Sequence, residues 1–329
     1  MPTIHRRQLL LGTLALGAGL APALRAQTRI DTLRILNGYP PGGSVDIVSR
    51  KLAERLGGGR FANSVVAENK PGAAGRLVVE DVKRAAADSA VLLITPASVV
   101  TMYPHVFRQL AYDPFADLTP VSTVAATGFA LGVGPKVPAT VATVDDFLRW
   151  CRANPALAQV GNAGAGSMPH LMALQLEREG RAEITHVPYR GGAAAATATA
   201  GGEVAATLST EASTRPLVQA GRLRVLATTW AERSPFFPQV PTFREQGLPA
   251  LTQREWFGAF MPARAPAATV QAMADALRSG LQEADVRDTW ERTGLLAEAS
   301  GPAPLLAAMR SEHAQWAALV KTSGFTPES

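Results

Sequence analysis

The sequence predicts an α/β fold in two domains with a cleft between them. Three observations carry this. Short apolar runs alternate with helical patterns along most of the chain, as in sheets covered by helices. Two glycine-rich loops, within Tyr39–Asp46 and Gly161–Leu171, each follow an apolar run and open a helix. With residues 1–26 set aside as a leader, 303 of the 329 residues remain, enough for two domains with cores of their own.

The leader comes first. Arg6 and Arg7 precede an apolar, charge-free segment, Leu9 to Leu24, and small residues follow it. This reads as a secretory signal peptide, cleaved after Ala23 or after Ala26. Arg6-Arg7-Gln8-Leu9-Leu10 also fits a twin-arginine signal, so both export routes stay open. Gly12, Gly17, Gly19 and Pro22 interrupt the run, which argues against a permanent membrane anchor. No cysteine lies near the cleavage point, which argues against a lipid anchor.

The mature chain then alternates. Strands are expected at Leu33–Leu36, Ser64–Ala67, Ala90–Thr95, Val121–Ala125, Ala130–Val133, Gln159–Asn162, Ile184–Pro188, Val204–Ser209 and Arg224–Thr228. Helices are expected at Ser44–Leu56, Ala73–Ala87, Val144–Asn154, His170–Gly180, Ala193–Ala200 and Glu211–Ala220. Val45, Val48, Leu52 and Leu56 mark the buried face of the first. The Ala-rich helix at Ala193–Ala200 has small residues that let its backbone approach a sheet closely. Trp256 is expected in core near a hinge. After Pro262–Pro266 come three helical patterns, Ala267–Glu283, Asp285–Thr293 and Pro302–Thr322, with no strand expected between them. Val270, Met273, Leu277 and Leu281 give the first of these an apolar face, so the group should wrap back on the first domain.

Composition excludes several functions. The net charge of +5 is modest, and Arg6, Arg7 and Arg25 belong to the leader. No basic cluster interleaved with aromatics exists, so no nucleic-acid role is expected. Cys151 is the only cysteine, so it forms no intramolecular disulfide and reads as a small apolar filler on a helix. The 5 histidines are scattered without ligand spacing, so neither a metal nor a cofactor is expected.

The loops carry the chemistry. In Tyr39-Pro40-Pro41-Gly42-Gly43-Ser44-Val45-Asp46, strand, glycine loop and helix follow one another. First-turn amides lack helical acceptors and the helix dipole is positive there, so the loop suits an anion. Neither the P-loop nor the dinucleotide fingerprint is present, which leaves a small carboxylate. Gly43 is expected where a Cβ would intrude on the ligand or on the required backbone angle. Asp46 is a poor partner for an anion and should hold loop amides instead. The second loop repeats the device, with Ser167 suited to the N-cap and Pro169 to the first turn. His170 should brace that loop. Ser167 with His170 also admits a hydrolase, although the G-x-S-x-G elbow is missing. Tyr189 and Arg190 belong to the cleft or its rim. Two helix N-termini, one per domain, would grip one carboxylate from both sides.

Six sequence blocks occur together. They are Tyr39-Pro40-Pro41-Gly42-Gly43 with Asp46 and Arg50; Glu68-Asn69-Lys70-Pro71-Gly72-Ala73-Ala74-Gly75; Gly166-Ser167-Met168-Pro169-His170-Leu171; Val187-Pro188-Tyr189-Arg190-Gly191; Gly221-Arg222-Leu223-Arg224-Val225-Leu226-Ala227; and Arg233-Ser234 with Pro238-Gln239-Val240-Pro241-Thr242 and Gly247-Leu248-Pro249. Together they resemble the Bug family, the periplasmic solute-binding receptors of tripartite tricarboxylate transporters. The resemblance implies a type II periplasmic-binding-protein fold. Its domains would be 27–126 with 232–329, and 127–231. It implies that backbone amides around Gly42–Gly43 and Gly166–Ser167 hold a ligand carboxylate, partly through waters. The ligand site it implies takes in Tyr39, Pro41, Ser44, Ala97, Ser98, Asn162, His170, Tyr189 and Glu211 as well. Arg190 stands where lysine is common in the family, and Glu211 where many members have Asp. A carboxylate at Glu211 would repel the ligand unless the ligand carries an amine or amide, or unless Glu211 simply faces solvent. The implied partners are a small carboxylate and a membrane permease, with the receptor a periplasmic monomer without catalysis. A secreted sensor presenting ligand to a membrane kinase is the second class, and the hydrolase the third.

Overall fold

The computed structural model describes residues 30–323, so the leader expected over residues 1–26 lies outside the described residues. The first elements are β1 (Ile30–Asn37), α1 (Ser44–Leu56), β2 (Ala62–Asn69), α2 (Arg76–Arg84), β3 (Val91–Pro96), α3 (Ala97–Thr101) and α4 (Tyr103–Val106). Next come β4 (Leu118–Val133), α5 (Val144–Ala153), β5 (Gln159–Asn162), α6 (Met168–Gly180), β6 (Thr185–Pro188) and α7 (Gly192–Ala200). They are followed by β7 (Ala206–Thr210), α8 (Glu211–Gln219), β8 (Arg224–Thr228) and β9 (Arg254–Pro262). The chain ends with α9 (Ala267–Gln282), α10 (Ala284–Thr293), β10 (Leu296–Ala297) and α11 (Pro302–Ser323).

The strands join in one curled 10-stranded sheet, in the order β2-β1-β3-β9-β4-β7-β5-β6, with β8 and β10 each also on β4. β1 pairs in parallel with β2 and β3. β9 runs antiparallel between β3 and β4. β4 is 16 residues long and serves both halves. Its stretch Leu118–Gly128 pairs with β9 in the first half. Its end, Phe129–Val133, lies between β7 and β8 in the second.

The sequence splits β4 into two strands, and the structure corrects this. Thr127 and Gly128 look like a break, but Gly128 still pairs with Arg254. Register shifts at Pro120/Ser122 and Thr123/Ala125 absorb the irregularity earlier in the strand. The helix expected at Ala73–Ala87 is also shorter. Ala73 and Ala74 have positive φ (47° and 53°), so residues 73–75 form a 3-10 turn and α2 starts only at Arg76. Two-residue β10 lies between α10 and α11, where no strand is expected.

The cores follow from the patterns. β3 is buried at all 6 positions, as a central strand covered on both faces should be. Val45, Val48, Leu52 and Leu56 of α1 pack in one cluster with Val270, Met273, Leu277 and Leu281 of α9. Each such side chain contributes about 1.5–3 kcal/mol by leaving water. The C-terminal helices therefore do cover the first half. On its other face α11 buries Leu305 and Met309 in a cluster with Trp256, whose Nε1 donates to Glu312 Oε1 at 2.6 Å. In the second half α7 buries Ala195 and Ala196 beside β7. Cys151 is buried on α5, and burial pushes its thiol up to about 12. Segment 242–251 also packs here: Val144 N–H donates to Gln246 Oε1 and Gln246 Nε2 donates to Leu226 O, both at 2.8 Å.

Candidate functional site

The first loop is built around Asp46. Gly42 has φ +84°, a left-handed conformation that favours glycine. Its N–H donates to Asp46 Oδ2 at 2.9 Å. Asp46 also accepts from Arg50 Nε at 3.0 Å and Asn69 Nδ2 at 2.8 Å. Burial alone would raise the Asp46 pKa, but Arg50, the Gly42 amide and Asn69 outweigh it and hold the carboxylate below its usual range. Asp46 thus shapes the loop, as expected. The Gly42 amide is correspondingly engaged within the loop.

Gly43 is the N-cap of α1, with φ −82°, ψ 168° and no side-chain cap. Any residue adopts that backbone, so the expectation of a special angle at Gly43 fails. A Cβ there would find only Pro40 O, at 3.7 Å. The α1 amides beyond it have no helical acceptor.

The second loop is built around His170. Gly166 N–H donates to His170 Nδ1 at 3.0 Å, so His170 braces the loop and carries its proton on Nε2. Burial, with His186 nearby, lowers its pKa to about 4. Asn162 Oδ1 accepts the Gly164 N–H at 3.1 Å. Gly166 has φ +70°, and a Cβ on it would lie 2.4 Å from Phe107 Cζ. Ser167 is the N-cap of α6 and makes no capping bond. Its buried Oγ has no hydrogen-bond partner among the described residues, and His170 Nδ1 is taken by the Gly166 amide.

Both helix starts open on one cavity of about 640 Å³. Of the sequence-predicted residues, Tyr39, Pro41, Gly43, Ser44 and Ser98 line it from the first half. Ser167 and Tyr189 line it from the second. Tyr39 is anchored by its hydroxyl, which donates to Ala74 O at 3.1 Å. Tyr189 Oη donates to Glu203 Oε1 at 3.1 Å.

Six predicted residues lie outside the lining. Gly42, Asn162, Gly166 and His170 make the loops' internal bonds just described. Ala97 is buried in the core of the first half. Glu211 is 0% exposed, so it does not face solvent, and it lies outside the cavity lining. Ser234 Oγ donates to its Oε2 at 2.8 Å, and burial pushes its pKa up to about 7.

The structure adds residues that sequence reasoning misses. Ser44 Oγ lies 2.7 Å from Thr210 Oγ1, and Thr210 Oγ1 lies 2.9 Å from Ser213 Oγ. These hydroxyls bridge the start of α1 to the start of α8 across the cleft. Partners 166 residues apart leave no local signal. Phe129, Phe257 and Glu255 also line the cavity. Glu255 stands at the head of the apolar run Trp256–Met261, and an acid opening a buried strand is a legible signal. It is 3% exposed and accepts the Ser98 N–H at 2.9 Å and the Ser98 hydroxyl at 3.2 Å. Burial is the main cause that pushes its pKa up to about 8.

Known proteins similar to this chain share one family and fold. Residues 48–325 match the model of the tripartite tricarboxylate transporter family receptors. Protein BugT of Bordetella pertussis is 27% identical over 316 residues, covering 95% of this chain and 96% of that protein. The structure of MatC from Rhodopseudomonas palustris with bound malate is similar at a TM-score of 0.83 and 26% identity, covering 88% of this chain and 99% of that one. Another R. palustris protein, solved with adipate, is similar at a TM-score of 0.85 and 28% identity, covering 92% and 99%. The chain belongs to the tripartite tricarboxylate transporter receptor family, with the two-domain α/β fold of the periplasmic binding proteins.

Proposed function

We propose that this protein is a periplasmic solute receptor that closes on a small carboxylate and delivers it to the membrane permease of a tripartite transporter. One observation carries the reading: α1 and α6, one from each half, both begin at the same cavity without a side-chain cap. A carboxylate between them would accept N–H bonds from both helix starts and satisfy both dipoles. The malate and adipate held by the two related structures are consistent with this ligand class.

Closure would turn about β4 and the strand return to β9. The sequence boundary near residue 232 is kept for the chain crossing, while segment 242–251, tied to α5 and β8, would travel with the second domain. Bound ligand favours the closed arrangement because only there do both amide sets reach it. The test is a thermal-shift screen of purified mature protein over mono-, di- and tricarboxylates, amino acids and aromatic acids. A ligand at 100 times its dissociation constant adds about 2.7 kcal/mol of stability. A shift confined to solutes without a carboxylate would overturn the reading.

A further inference from the structure

We propose, building on the carboxylate-receptor reading, that the ligand is an aminocarboxylate: its carboxylate sits at the helix starts and its ammonium group is received by Glu255. A second ligand carboxylate finds no buried cation at that end of the cavity.

The charges of the cavity point this way. Arg190, Glu203 and Glu255 are the charged residues among its described lining. Arg190 is exposed, beside Tyr189 and Gly191. Glu203 is exposed as well and engaged by the Tyr189 hydroxyl. Glu255 is buried, and among the described residues it makes no ion pair. Its two oxygens take one bond each from Ser98, with the Ala97 amide as a further donor, and a carboxylate's two oxygens still have room for another. A ligand carboxylate beside it would find no cation and would need Glu255 to stay protonated. An ammonium group would supply the missing counter-charge. Phe129 and Phe257 line the same cavity, and aromatic faces suit a cation.

The surroundings of Glu255 set how it responds to pH. Ser98 of α3 donates to it, Glu312 of α11 faces it as a like charge, and the Tyr39 hydroxyl lies close enough to feel its charge. Arg254, next along β9, is paired with Glu298 at 2.7 Å. Burial and Glu312 keep the proton on Glu255 up to about pH 8 when no ligand is bound. An ammonium would draw that proton off, so an aminocarboxylate binds more tightly as pH rises toward 8. A dicarboxylate needs the proton kept, so its affinity falls as pH passes 8.

The experiment uses matched probes of equal chain length: 5-aminopentanoate, pentanoate and pentanedioate, then the shorter and longer homologues and the α-amino acids. Calorimetry at pH 7, in two buffers of different ionisation heat, gives affinity and proton release together. We expect the best aminocarboxylate to bind at least tenfold more tightly than its matched diacid, with proton release. In Glu255→Gln, which keeps an acceptor for the Ser98 amide, that ratio should fall toward one and the proton release should vanish. Circular dichroism melts check that the variant folds, and a ratio is insensitive to any uniform loss of affinity. A diacid that binds more tightly than every aminocarboxylate overturns the proposal, as does an unchanged ratio in Glu255→Gln, while leaving the receptor reading intact. Failure of every carboxylate to bind overturns both.

Discussion

Gly42 and Gly43 are neighbours with opposite roles, and alanine at each separates folding from binding. At Gly42 the φ of +84° is the obstacle, since a Cβ there would meet nothing within 4 Å. A left-handed backbone costs an L-residue about 1–2 kcal/mol, so Gly42→Ala should destabilise by that amount. At Gly43 the backbone is ordinary and the nearest atom is 3.7 Å away. Gly43→Ala should be neutral or stabilise by about 0.4–1 kcal/mol, through lost freedom in the unfolded chain. Its methyl group, however, enters the cavity at the α1 amides. Those amides work only within about 2.7–3.2 Å of a ligand oxygen. Losing one charge-assisted bond costs about 1.5–3 kcal/mol, or roughly 10- to 150-fold in affinity. Urea denaturation gives the stabilities, and calorimetry with the best ligand of the carboxylate screen gives the affinities. Wild-type affinity in a folded Gly43→Ala protein would refute the amide site at α1. A larger stability loss at Gly43 than at Gly42 would refute the backbone reasoning.

Gly166→Ala combines a left-handed backbone with a Cβ 2.4 Å from Phe107, so it should cost about 2–5 kcal/mol in urea denaturation. Adding Phe107→Leu should recover the packing part alone, and full recovery would show that φ is not limiting. Ser44→Ala removes the hydroxyl bridge to Thr210 and should weaken the closed arrangement by about 0.5–1.5 kcal/mol. Small-angle scattering of ligand-free protein should then report a larger radius of gyration, and an unchanged radius would count against the bridge. Glu211 has its pKa raised from 4.5 to about 7, so the folded state keeps a proton that the unfolded chain releases. Its contribution to stability is therefore present below about pH 4.5 and lost as pH rises to about 7. Glu211→Gln should gain on wild type between thermal melts at pH 5 and pH 8, and a constant gap would show that Glu211 does not titrate there.

The two glycine loops were legible because their chemistry is local. Strand, loop and helix follow one another within about a dozen residues, and each loop's internal bonds span four residues or fewer. Asp46 and His170 could be read as braces for the same reason. The misreadings have physical causes too. Ala73 and Ala74 have high helix propensity, yet Gly72, with φ +157°, and Gly75, with φ +90°, turn the chain around them. Glu211 looks solvent-facing or ligand-facing in sequence, but Ser234 meets it inside the protein. The Ser44–Thr210 bridge and the Glu255–Ser98 contacts join residues more than 150 positions apart, and only the sheet order brings them together.

The position of β9 governs the order in which the chain can be finished. It lies between β3 and β4, although it follows them by more than 120 residues. Until residues 254–262 arrive, the facing backbones of β3 and β4 are open edges, ready to pair with any other strand. A nascent or truncated chain that stops near residue 250 therefore offers an aggregation-prone template rather than a smaller folded domain. Closing the central sheet is a late, long-range event, which places this chain among slow folders. Such delay places the greatest demand for chaperone protection on the interval before β9 inserts.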